Sequence, residues 1–192
     1  LVTKKVLEQK KVALPHIFVG IIDPFAYGLG ENPADLVAHN MTGILYNPYE
    51  TGKAAQFLCD AKPHMKKLLV VSEQISVSGA HLRPDWLAQE LSSIKDVCGP
   101  KGIAVNSYVA PTLSQVYAYV EKNMDSFDTL MLPEGTTTLT IYESLGELCT
   151  KHNKTLFSGL IEPVAHSAAL GYGASYESMG EHAIQYAYKL LI

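Results

Sequence analysis

Short aliphatic and β-branched runs recur along the 192-residue chain, with helix-like patterns between them. No other feature constrains the fold as much. Strands that alternate with helices build βαβ units, so the sequence predicts an α/β protein with a Rossmann-like parallel sheet flanked by helices. Strands are predicted over 16–22, 43–46, 67–72, 103–109, 129–132, 155–158 and 168–172. Pro84 suits the first turn of a helix with the stripe Leu87, Leu91, Ile94 and Cys98, ended by Gly99-Pro100. Thr112 and Gln115 spell a capping box before Leu113, Val116, Tyr117, Val120 and Met124. A third helix carries Ile141, Leu145, Leu148, Cys149 and His152, and a fourth Met179, Ala183, Tyr186, Ala187 and Leu190.

Strands that run one way gather the loops after their carboxyl ends along one edge, where open α/β sheets bind ligands. Those loops hold Asp23, Ser72, Glu73, Tyr108, Glu134, Gly135, Thr136, Thr137 and Gly159, with Tyr172 after the last strand. Each has two readings. The Glu134 to Thr137 loop offers N–H groups and hydroxyls to an oxygen of a ligand, or it caps the helix that follows. Asp23 contacts a ligand or closes a turn. Glu73 and Glu134 form a catalytic pair or line a cleft rim. The rings of Tyr108 and Tyr172 stack on a flat ligand or fill the core.

Several chemistries lack their signatures. A net charge of −4 and a pI near 6.0 give no basic field for nucleic acid. No apolar run reaches the roughly 18 to 20 residues of a membrane span. The opening LVTKKVLEQKK reads as an internal start, without initiator Met or signal-peptide pattern. Cys59, Cys98 and Cys149 have no metal-ligand spacing; each lies in a helical region and reads as a small buried hydrophobe or as half of a disulfide. The seven histidines are scattered, and Ser76 to Ala80 is not a nucleophile elbow. The glycine-lysine spacing of a P-loop and other cofactor motifs are missing.

In order, LPHIFVGIIDPFAYGL, HNMTGI, MKKLLVVSEQ, LMLPEGTTTLTIYESLGELCTKHNKTLFSGL and AALGYGASYESMGEHAIQYAYKLL resemble the ABC-transporter substrate-binding family of tryptophan/tyrosine-transport type. The resemblance implies a type I periplasmic binding protein: two Rossmann-like lobes that close on a small organic solute and deliver it to a membrane permease. It implies no catalysis, no cofactor and no metal, and a bacterial protein that is periplasmic or lipid-anchored outside the cytoplasm.

Against that family the chain resembles a nearly intact second lobe over 45–173. Residues 1–44 then correspond to a partial first lobe with a crossing strand, and 174–192 to a helix returning to it. A partial lobe leaves a sheet edge open, which predicts self-association through 16–22. Members that read amino acids place carboxylates where this chain has Gly135-Thr136, Leu160 and Ser175. An ammonium group favours carboxylates, so a neutral or anionic solute is expected here. The rival readings are a ligand-sensing module of a signalling system and a flavodoxin-like or sugar-modifying α/β enzyme.

Overall fold

A computed structural model describes residues 15–21, 24–25, 29–38, 40–45, 50–73, 84–133 and 139–191. Its contacts divide the chain into two compact units. One contains β1 (His16–Ile21), α1 (Pro33–Ala38), β2 (Met41–Leu45) and the last helix, α6 (Tyr176–Leu191). There β1 and β2 pair in parallel, with Phe18 opposite Gly43. A Cβ on Gly43 would collide with the Phe18 ring and carbonyl, so glycine is needed for this close approach.

The other unit holds α2 (Thr51–Ala61), β3 (Lys67–Glu73), α3 (Pro84–Cys98), β4 (Ala104–Ala110), α4 (Leu113–Lys122), β5 (Thr129–Leu132), α5 (Leu139–Lys151), β6 (Thr155–Ser158) and β7 (Leu170–Gly171). Its five strands are all parallel, in the order β4-β3-β5-β6-β7. Successive residues of a strand face opposite sides, and both sides are buried. Leu69, Val71, Leu130, Leu132 and Leu156 pack with Val116 and Val120 of α4 and with Tyr142 and Leu145 of α5. Leu68, Val70, Met131 and Phe157 pack with Ala55 and Leu58 of α2 and with Ile94 and Cys98 of α3.

The fold class read from the sequence is the one found, and its local signals act as expected. Thr112 caps α4 in an extended conformation, its hydroxyl oxygen accepting from the Gln115 N–H at 3.4 Å. The stop after α3 is more gradual than Gly99-Pro100 suggested: a 3-10 turn runs over Gly99–Lys101, and Gly102 at φ 72° turns the chain into β4. The last strand is two residues long instead of five. Helices α1 and α2 were not anticipated. In α6, Met179 is buried while Tyr186 and Leu190 are about half exposed, so the apolar stripe of that helix is only partly covered. All three cysteines are free and buried.

At the amino ends of the strands, Asp128 serves as a cap for the sheet. One carboxylate oxygen, Oδ2, accepts the N–H groups of Lys66 and Lys67, each at 2.9 Å. The Lys66 bond first, then the Lys67 bond and the charges of Lys154 and Lys67, hold its carboxyl below the usual range. A group with a depressed folded pKa contributes stability above its unfolded value, and that contribution disappears as pH falls through the folded value. Because this carboxylate is largely exposed, solvent screens it and the effect is modest. Asp128→Ala is expected to cost about 1 kcal/mol in urea unfolding at pH 7, with the difference from wild type shrinking below about pH 4. A pH-independent difference would contradict this role.

Candidate functional site

The strand order reverses direction at β3. The chain leaves β3 through α3, which packs on one face, and reaches β4; it returns through α4 on the other face to β5, which lies against β3 from the opposite side. The helices that follow β3 and β5 therefore lie on opposite faces. The carboxyl ends of these neighbouring strands are thus a topological switch point, the place at which open α/β sheets take ligands.

Ser72 and Glu73 end β3 at this edge, with register partners Val109 and Ala110. Ser72 is buried. The side chain of Glu73, like Asp23, Glu134, Gly135, Thr136 and Thr137, lies outside the described residues. The strand leading to the last four, β5, ends at Leu132 on the same edge.

Two further residues proposed from the sequence, Gly159 and Tyr172, line one hollow together with Glu50, Thr51, Ala54, Met131 and Gly173. Its volume of about 10 Å³ accommodates roughly one water, so it is a wall feature and not an enclosed chamber. Backbone bonds fix the wall: Gly159 N–H donates to the Leu132 carbonyl at 2.9 Å, and Tyr172 N–H to the Ser158 carbonyl at 3.0 Å. Ser158, fully buried, donates its hydroxyl to the Tyr142 hydroxyl at 3.2 Å and accepts from Leu160 N–H at 2.9 Å. A buried hydroxyl needs such partners, and these two tie the loop after β6 to helix α5. Gly171 lets that loop approach closely, since a Cβ there would meet the Leu160 carbonyl and Val164 at 2.7 Å. The Tyr172 ring leans on Phe57, with centroids 5.4 Å apart and planes at 33°.

Tyr108 is placed differently. It pairs in register with Val71 and packs against the core beneath α4, its ring stacked on Tyr119 at 3.7 Å with planes 7° apart. It is not among the residues lining the hollow with Tyr172.

Sequence reasoning missed Glu50, Thr51 and Glu90. These three do not follow a strand of the main sheet. Helix α2 runs back against those strands, so its amino end arrives at the same edge. The signal available was the short polar step Glu50-Thr51-Gly52 ahead of an apolar helical run. Thr51 Oγ1 donates to Glu90 Oε1 at 2.9 Å, joining α2 to α3. Glu90 is 3% exposed, and its Oε2 has no hydrogen-bond partner among the described residues. Burial pushes its carboxyl up to about 7, with the Thr51 hydrogen bond acting in the opposite sense. Glu50 forms an ion pair with Lys53 at 2.9 Å.

Two larger hollows lie elsewhere. One of about 400 Å³ sits at the amino ends of the strands and includes Lys62, His64, Asp128 and Lys154. The other, about 470 Å³, lies in the unit of β1 and β2, between Met41, Thr42, Tyr186 and Leu190. Neither lies at the switch point. Among the described residues no cluster of three or more His, Cys, Asp or Glu could hold a metal, and no helix is long and apolar enough to cross a membrane.

Solved structures share this fold at low sequence identity. The ABC domain from Streptococcus pneumonia, solved with L-Trp, matches with a TM-score of 0.69 at 15% identity, over 93% of this chain and 57% of that one. A substrate binding protein with adhesive properties from Clostridium difficile, in a ligand-free, open structure, matches at 0.63 and 19%, over 93% and 57%. A LacI family transcriptional regulator from Bifidobacterium animalis matches at 0.60 and 11%, over 98% and 73%. The chain thus has the type I periplasmic-binding-protein fold, which such regulators share, and spans less than two thirds of the first two chains. No family profile matches it, and no curated protein does.

Glu90 gives this wall a pH signature. Above the ordinary value of 4.5 the unfolded chain releases the proton, while the folded chain keeps it until about pH 7. Stability attributable to this group is complete below pH 4.5, declines up to about 7 and is constant beyond. Glu90→Gln is expected to match wild type in urea unfolding near pH 4.5 and to exceed it at pH 8 by on the order of 3 kcal/mol. Parallel stability–pH curves would rule out a buried neutral carboxyl.

Proposed function

We propose that the chain is part of an extracytoplasmic solute-binding protein of a bacterial ABC importer, and that it holds a small organic solute without altering it. The observation that carries this reading is the juxtaposition of the reversal in strand order with a wall built from Thr51, Gly159 and Tyr172 at the same carboxyl edge. Substrate-binding proteins with the same fold support it. In this reading 45–173 is the second lobe, 1–44 a partial first lobe and 174–192 its returning helix. The division of contacts into two units is compatible with that assignment. Ser72, Glu73, Asp23 and Glu134 to Thr137 are then the solute contacts expected from the sequence, Tyr108 supports the edge from the flank, and an ABC permease receives the solute.

The guest is neutral or anionic. The carboxylate lining the hollow, Glu50, is engaged by Lys53, and the positions at which amino-acid readers carry acids are Gly135-Thr136, Leu160 and Ser175. A second reading, a ligand-sensing module, is supported by the regulator that shares the fold over 98% of the chain. Permease and ATPase genes beside this one favour the importer; a fused signalling domain favours the sensor.

Native mass spectrometry of the full-length natural protein, followed by calorimetry with the solute it retains, tests the reading. Tyr172→Ala is expected to weaken binding at least about tenfold, near 1.4 kcal/mol, with the fold intact by circular dichroism. Unchanged affinity would remove the wall from the site, and turnover of the solute that Glu134→Gln abolishes would establish an enzyme instead.

We also propose self-association through 16–22, supported by the small sheet. Among the described residues β1 pairs only with β2, and Val19 is 42% exposed. An open strand edge is a template for another chain. Light scattering of the chain at high concentration is expected to show dimers or larger species, reduced by Val19→Lys. A monodisperse monomer would refute this.

A further inference from the structure

Cys59 in the last turn of α2 and Cys98 at the end of α3 bring their Sγ atoms to 3.4 Å of one another inside the protein, 39 residues apart in sequence. Their exposures are 4% and 0%. The two helix ends are joined a second time at the surface, where Lys101 Nζ meets Asp60 Oδ1 at 2.9 Å, one residue beyond Cys59 and three beyond Cys98. Cys149 lies in the core cluster on the opposite face of the sheet, away from both. We propose that Cys59 and Cys98 are a redox pair that forms a disulfide stapling α2 to α3 when the chain folds in the presence of a disulfide oxidant.

The chemistry is thiol–disulfide exchange with a small-molecule disulfide such as oxidised glutathione. One cysteine thiolate attacks a sulfur of the oxidant, forming a mixed disulfide and expelling one oxidant thiol. The other cysteine then attacks the protein sulfur of that mixed disulfide, forming the Cys59–Cys98 bond and expelling the second. Two cysteine thiols are oxidised, one small disulfide is reduced to two thiols, and the two protons end on those thiols. The thiolate is the attacking form. Burial, with the Cys59 hydrogen bond next, pushes the Cys98 thiol up to about 12, while Lys101 acts to lower it. Exchange in the folded protein is therefore slow, and the bond forms before the helices close over the sulfurs.

The bond would close a loop that contains β3 and its exit toward the switch point, restricting the unfolded chain across that span. It lies at the amino edge of the sheet, so it braces the helices behind the binding wall without entering it. The inference does not rest on the proposed transport role.

The test is to refold the full chain in a buffer of oxidised and reduced glutathione and count thiols in denaturant. One free thiol per chain, a mass lower by two hydrogens, and a non-reduced peptide map linking the Cys59 and Cys98 peptides are expected. The thermal midpoint should exceed that of the same protein with reductant by on the order of 5–10 °C. Cys149→Ala should retain the link, and Cys59→Ala should abolish it. Three free thiols after refolding, a link through Cys149, or equal midpoints with and without reductant would overturn the proposal.

Discussion

A parallel sheet must be covered on both faces, because its crossover connections and its apolar side chains occupy both. Here that constraint is met residue by residue. Leu68 and Val70 face α2 and α3, while Leu69 and Val71 face α4 and α5; Met131 and Phe157 repeat the first pattern, and Leu130, Leu132 and Leu156 the second. Shifting any of these strands by one residue would exchange both sets at once. Register, helix placement and strand order are thus parts of one solution.

The switch point is a consequence of the same solution. Helices on both faces require connections that leave the sheet in both directions, and neighbouring strands whose exits diverge leave a gap at their carboxyl ends. What remains is to hold the rim still. The Tyr142–Ser158–Leu160 bonds do this from α5, the Gly159 and Tyr172 N–H groups from the strands, and Phe57 from α2. Placing Glu90 behind the rim has a cost of the opposite sign, since a carboxyl with one oxygen lacking a partner among the described residues is held protonated by burial up to about pH 7.

The strands were legible because each combines aliphatic density with a bounded length, and α4 because Thr112 and Gln115 state its start in the sequence. Helix α2 was less so: its buried face is largely Ala54, Ala55, Leu58 and Cys59, small residues that leave a weak apolar period. The rim itself divides by mechanism. The positions of Gly159 and Tyr172 were legible because they follow strand ends, which the pattern locates. Glu90 could not be, since its environment depends on Thr51, 39 residues away. Nor does sequence tell which face of an edge strand an aromatic ring takes; Tyr108 sits beneath α4 because Tyr119 offers it a parallel ring there.

The direction of the helices bears on what the edge can receive. Each of α2, α3 and α5 runs back against the strands, so their amino ends point to the carboxyl edge of the sheet and bring partial positive charge with them. Glu50 stands at the amino end of α2, within that field, and an anionic or strongly polarised guest there would be favoured by it. A cationic guest would have to overcome it with carboxylates, and Gly135-Thr136, Leu160 and Ser175 do not supply them. At Glu90, beyond the first turn of α3, burial outweighs the Thr51 hydrogen bond and raises the carboxyl to about 7. At this rim the helix ends modulate charge, while desolvation decides which groups carry it.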